Sequence, residues 1–219
     1  MPISHSKELI FIHIPKTGGT SIENALEMQT TEKLFCYQRC GVCMPKILEN
    51  FSVAERNKVK YTTPQHLTAL QLKTVLGDTV FNKYKKFAIV RNPFDRLVSE
   101  YCYIKQTVNP HFTQYQDLNF TQFVKQCFYL PNMARHILFD NHFTPQMEFI
   151  KSFKPSKKFM VFRFEEIAKV FDWLGIEPVH LRQSDNRKHW QEYYTPELMQ
   201  MVYNFYKQDF DDLNYPYNP

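Results

Sequence analysis

The sequence predicts an α/β protein: a parallel sheet with helices on both faces. Three observations carry that prediction. Short, mostly apolar runs at 9–14, 87–90 and 159–164 read as strands buried on both faces. Segments of helical length and amphipathic pattern alternate with them. The first run stops at Pro15 with Lys16 next, the second at Arg91, each followed by turn and helix-start residues, and in such sheets ligands sit beyond the carboxyl ends of the strands.

The elements follow in order. Residues 9–14 form the first strand and 20–28 its helix. Residues 30–58 read as irregular, and 59–62 as a short strand. Thr63 and Pro64 make an N-cap and N1 pair for a helix over 66–76, which Gly77 ends. The strand 87–90 leads into a long helix over 93–105, with Pro93 at its first position. Two or three helices fill 120–150. A strand over 159–164 precedes a helix over 165–174 closed by Gly175, and a terminal helix spans 196–210.

At 219 residues the chain suits one domain, 1–219, large enough to bury a core without staples. The net charge of +5 is a mild bias toward anionic ligands and falls short of a nucleic-acid binder. The lysines at 83, 85, 86, 151, 154, 157 and 158 are interrupted by other residues and read as solvated edges. No stretch has the length and apolarity of a signal peptide or a membrane span, so a soluble, cytoplasmic chain is expected. Five cysteines without a secretory signal imply reduced thiols. Cys36, Cys40 and Cys43 lack a nearby fourth ligand and read as thiols, not a metal site; Cys102 and Cys127 read as core.

Chemistry concentrates in Ile10-Phe11-Ile12-His13-Ile14-Pro15-Lys16-Thr17-Gly18-Gly19-Thr20-Ser21. Glycines let backbone pass close to a ligand, and exposed N–H groups at a helix start favour an anion. Lys16 adds a charge; Thr17, Thr20 and Ser21 add hydroxyl donors. The lysine precedes the glycines, so this is not the GxxxxGK[ST] loop of nucleotide triphosphatases. The run Phe87–Tyr101 repeats the design, with Arg91 after a strand, Pro93 opening a helix and Ser99 eight residues on from Arg91. An arginine fork with a hydroxyl suits a terminal phosphate. An Arg91–Asp95 capping pair with Arg96 on the surface is the alternative.

Together, IFIHIPKTGGTS and FAIVRNPFDRLVSEY resemble the paired signature of sulfotransferases that use 3′-phosphoadenosine 5′-phosphosulfate (PAPS). The resemblance is to the carbohydrate branch that includes heparan-sulfate 2-O-sulfotransferases and small soluble relatives. The segments PQHLTALQLKTVLGD, FRFEEI and EYYTPELMQMVYNFYKQDF extend it over nearly the whole chain. It implies a P-loop NTPase-like sulfotransferase fold. It also implies that Pro15, Lys16, Thr17, Gly18, Gly19, Thr20 and Ser21 hold the 5′-phosphosulfate, and Arg91 and Ser99 the 3′-phosphate. The reaction it implies moves a sulfuryl group in line to an acceptor hydroxyl, on a sugar or polysaccharide, and releases adenosine 3′,5′-bisphosphate. Phe94 stands where many relatives carry tryptophan.

Lys16 sits where charge develops on the bridging oxygen. His66 is the expected base, placed by its predicted helix N-terminus and by the resemblance, since 2-O-like enzymes use a histidine in this segment. His13 reads as packed core; His142 and Gln146 read as candidates to line an acceptor pocket; Glu23 and Glu100 are alternative bases. Arg187 and Lys188, after a turn at 184–186, read as a basic loop closing over the cofactor. Sulfuryl transfer needs no metal in principle, and no aspartate stands where a magnesium ligand would. A kinase or nucleotide hydrolase and a non-catalytic nucleotide binder are the competing readings.

Overall fold

The computed structural model describes residues 2–28, 64–131, 135, 139, 141–178 and 187–217. The predicted strand 59–62, the Thr63 cap, the turn at 184–186 and Cys36, Cys40 and Cys43 lie outside them.

A two-residue strand β1 (Ile3–Ser4) pairs antiparallel with β2 (Leu9–Ile12). β2 runs parallel to β3 (Lys85–Val90), and β3 parallel to β4 (Phe159–Arg163), so the sheet order is β1-β2-β3-β4. Side chains alternate faces along each strand. Ile10, Ile12, Ala88 and Val90 enter one core; Leu9, Phe11, Phe87 and Ile89 enter a second on the opposite face. Burial on both faces is why β2 is continuously apolar.

The second core is covered by α1 (Gly19–Ala25) and α7 (Ile167–Leu174), through Ile22, Val170 and Phe171. The larger core carries α2 (Ala69–Lys83), α3 (Pro93–Gln106), α4 (Thr113–Gln116), α5 (Phe120–Tyr129), α6 (Gln146–Ile150), α8 (Pro196–Phe205) and α9 (Lys207–Asp212). Cys102 and Cys127 are buried in it. Among the described residues no helix is long and apolar enough to cross a membrane.

Five boundaries differ from expectation. The first strand ends at Ile12, not at residue 14, and α1 closes at Ala25. Residues Pro64–His66 form a 3-10 turn, and the α-helix starts only at Ala69. The cause is a reciprocal cap: the Thr68 hydroxyl accepts from Gln71 N at 3.3 Å, and Thr68 N donates to the Gln71 side chain at 2.8 Å. Gly77, at φ 75° and ψ 159°, breaks the helical backbone as predicted, but a second helical stretch follows directly to Lys83. The terminal helix is split at Tyr206, whose φ of −105° and ψ of 23° interrupt it between α8 and α9.

Candidate active site

The carboxyl ends of β2, β3 and β4 open onto one cleft of about 1360 Å³. After Ile12 the chain turns through Pro15 and Lys16 into α1. Lys16 takes the left-handed backbone at φ 67°, a costly conformation for a side chain with a Cβ, and Gly18 follows at φ 82°. The Thr17 hydroxyl turns inward and donates to the Ile14 carbonyl at 2.8 Å. These turns present Lys16, Gly18, Gly19, Thr20 and Ser21 to the cleft. The Lys16 ammonium lies 4.1 Å from the centre of the Tyr103 ring. Burial lowers its pKa below the ordinary 10.5; nearby Glu100 opposes the shift, and Arg91 and Arg187 add to it.

Arg91 leaves β3 on the same side. Its Nη1 donates to the Lys16 carbonyl at 3.0 Å and its Nε to Asp95 at 2.6 Å. Arg187 also binds Asp95, through Nη2, while its buried Nε has no partner among the described residues. Two guanidinium groups therefore share one carboxylate. Burial brings each down to about 10, and for Arg187 the Arg91 charge adds to the effect. This is surplus positive charge held in place, and an anion in the cleft would relieve it. Ser99 lines the same wall. Gln146, fully buried, clasps the Arg91 peptide: its Oε1 accepts from Arg91 N and its Nε2 donates to Arg91 O, both at 2.8 Å.

Opposite the arginines stand three imidazoles. The Nδ1 of His66 donates to the His13 carbonyl at 3.1 Å. A carbonyl can only accept, so that nitrogen carries the proton and Nε2 the lone pair. Burial above all, then His13, His142 and Lys16, hold the His66 pKa well below the ordinary 6.5, against the opposing bond to His13. His13 packs edge-on to His66 at 4.7 Å between ring centres, and His142 at 5.2 Å on the other side. Each outer ring is held by a buried glutamate: His13 by Glu23 at 2.6 Å, His142 by Glu100 at 2.7 Å. Glu23 also accepts from Gln65 at 2.6 Å.

Compared with known proteins, residues 1–216 match the model of the sulfotransferase family. The chain belongs to the sulfotransferase family. No curated protein and no solved structure matches it.

In this sulfotransferase the cleft gathers Pro15, Lys16, Gly18, Gly19, Thr20, Ser21, His66, Arg91, Ser99, Arg187 and Lys188. Of the predicted donor-binding set, only Thr17 has its side chain turned away. The alternative sequence reading of Arg91 is half present: the pair with Asp95 forms, but Arg96 is buried, not on the surface. Its Nε donates to the Pro15 carbonyl at 3.1 Å, and its Nη2 to the carbonyls of His142 at 2.7 Å and Thr144 at 2.8 Å. His66 sits on the 3-10 turn and not at an α-helix N-terminus, so burial and its neighbours keep it neutral. Gln146 braces Arg91 and is absent from the cleft wall, whereas His142 lines it. Neither Gln65 nor the sharing of Asp95 by two arginines is legible in the sequence; the second depends on a contact 92 residues long that no local pattern encodes.

Proposed function

We propose that this sulfotransferase moves a sulfuryl group from PAPS to a hydroxyl of a carbohydrate acceptor, with His66 as the base. The observation that carries the donor assignment is the sharing of one carboxylate, Asp95, by the buried Arg91 and the partly buried Arg187 beside the Lys16 turn. A donor with anionic groups at two ends matches that charge: the residues 15–21 face the 5′-phosphosulfate, and Arg91, Arg187 and Ser99 face the 3′-phosphate. Lys188 adds a further charge at the rim. When bound, the donor supplies an activated sulfuryl group whose leaving oxygen gains charge as it departs.

The chain's own part is positioning, charge stabilisation and proton uptake. Lys16 stands where the leaving charge grows, and in a partly desolvated cleft such a cation is worth more than in water. The His66 tautomer leaves Nε2 able to take the acceptor's proton. Its lowered pKa keeps it neutral at physiological pH. The carbohydrate acceptor rests on the resemblance of the two signatures and on the chain's positive charge.

The test is a melting screen with adenosine 3′,5′-bisphosphate, AMP and ATP with magnesium. Ligand binding stabilises by mass action, so the bisphosphate is expected to raise Tm most. A larger shift with magnesium ATP overturns the donor assignment. In His66→Ala, loss of turnover with bisphosphate binding kept supports the base; full activity removes it.

A further inference from the structure

We propose that His142 and Glu100 form the outlet of a proton relay that begins at His66: the proton given up by the acceptor hydroxyl passes from His66 to His142 and then to solvent. The inference rests on the sulfuryl-transfer reading above and extends it to residues that reading leaves unused.

The geometry gives the relay a direction. Two imidazoles pack against His66, but the two neighbours differ. On the His13 side both oxygens of Glu23 are engaged, by His13 and by Gln65. A Cβ added to Gly19 would stand 2.2 Å from His13 Nε2, so the far nitrogen of that ring is lodged beneath the loop. On the other side, the His142 side chain is 14% exposed and lines the cleft. Its Nδ1–H is held by Glu100 Oε2, while Glu100 Oε1 is buried with no hydrogen-bond partner among the described residues. A carboxylate behind an imidazole orients the ring and stabilises the imidazolium that forms on it.

The charges agree. The groups acting on Glu100 are His142, Lys16 and Arg96, and those acting on His66 are His13, His142 and Lys16. Burial opposes ionisation of Glu100, but His142, Lys16 and Arg96 outweigh it, and its pKa lies below the ordinary 4.5. A proton arriving on His66 meets the opposite environment: burial and the Lys16 charge both disfavour it. It is therefore held poorly where it lands, one ring from a buried anion. The rings meet edge to face, 5.2 Å between centres and 88° between planes, a separation that a single bridging water can span.

The step balances. As the acceptor oxygen bonds to sulfur, its O–H breaks and the proton joins His66 Nε2. The bond from sulfur to the 5′-phosphate oxygen breaks, its electron pair leaving with the bisphosphate. His66 then loses the proton, His142 Nε2 gains it, and Glu100 keeps hold of Nδ1–H until His142 releases the proton to water.

The test compares the wild type, His142→Ala and Glu100→Gln, following bisphosphate formed from PAPS with water as acceptor. Both variants are expected to keep bisphosphate binding and to lose roughly tenfold or more in rate. The His142→Ala rate should recover with added imidazole; that of Glu100→Gln should not, because its ring is still in place. An unchanged rate in His142→Ala, or a loss that imidazole does not restore, overturns the relay. If His142→Ala does not fold, His142→Gln takes its place: the same loss in rate is expected, and an unchanged rate overturns the proposal. A wild type that neither binds the bisphosphate nor forms it from PAPS overturns sulfuryl transfer itself, and the relay with it.

Discussion

Removing the Arg96 side chain tests whether the two halves of the cleft are held by one guanidinium. Arg96 is 3% exposed and supplies three hydrogen bonds, to the carbonyls of Pro15, His142 and Thr144. Those carbonyls belong to the Lys16 turn and to the segment that carries His142. Alanine would leave all three without their donor, at about 1–3 kcal/mol for each group that stays buried. Two of the three bonds are only partly buried, so water can replace some of the loss. The net cost is then about 3–5 kcal/mol, a large share of the ~5–15 kcal/mol that holds a typical domain folded. For a chain of this size that corresponds to a fall in Tm of about 10 °C or more. Arg96→Lys keeps the charge but lacks the fork, and about half the loss is expected. The assay is urea unfolding with melting in parallel. An Arg96→Ala protein within ~1 kcal/mol of wild type would refute the reasoning, because an unbridged cleft would then be equally stable.

Gly19→Ala should destabilise by about 1–3 kcal/mol and weaken bisphosphate binding, since the new Cβ would meet His13 Nε2 at 2.2 Å; melting with and without ligand reads both effects. Gln146→Leu should cost about 2–4 kcal/mol, as the Arg91 N–H and carbonyl both lose their partner, and calorimetry should show weaker bisphosphate binding without direct contact. His66 and Glu100 each contribute a pH dependence to stability, opposed at the acid end by buried Asp209, whose pKa is raised. The first two have folded pKa values below their unfolded ones, so the unfolded chain binds the proton more readily. Their contribution is complete above the unfolded values and is lost as pH falls, first below about 6.5 through His66 and then below about 4.5 through Glu100. Urea titrations from pH 8 to 4 should show that fall, and His66→Asn should flatten its upper part.

The legible parts of this protein were those written within a dozen residues. The apolar strands gave themselves away because burial on both faces leaves no polar alternation, and the Lys16 turn because lysine, glycines and hydroxyls stand in one run. Helix starts were less legible where two caps competed. Thr63 with Pro64 reads as a start, but Thr68 with Gln71 makes the reciprocal bonds. Long-range roles left no local trace. Gln146 reads as a pocket residue, yet its amide matches the Arg91 peptide 55 positions away. Arg96 reads as surface because charged residues are rarely buried, and its three carbonyl acceptors lie 46 to 81 positions distant. Strand β1, with two residues, is too short for any periodicity to show.

One helix underlies both roles proposed for the cleft, anion binding and proton uptake. Asp95, Ser99, Tyr103 and Gln106 of α3 all line it, and their spacing of four, four and three places them on one face. Arg96 and Glu100 lie one residue round from Asp95 and Ser99, on the buried neighbouring stripe, where they reach the Pro15 carbonyl and His142. The outer stripe sets the arginines through Asp95 and underlies Lys16 through Tyr103; the inner stripe fixes the loop and the His142 ring. Rotating or shifting α3 by even part of a turn would misplace the Lys16 ammonium together with the carboxylate behind the His142 ring. The Pro93 start and the Asn92 side chain, which accepts from Phe94 N at 2.9 Å, therefore set the phase of both functions at once. A substitution at Asn92 should accordingly disturb donor binding and the rate together, although Asn92 takes no part in the chemistry assigned to either arm.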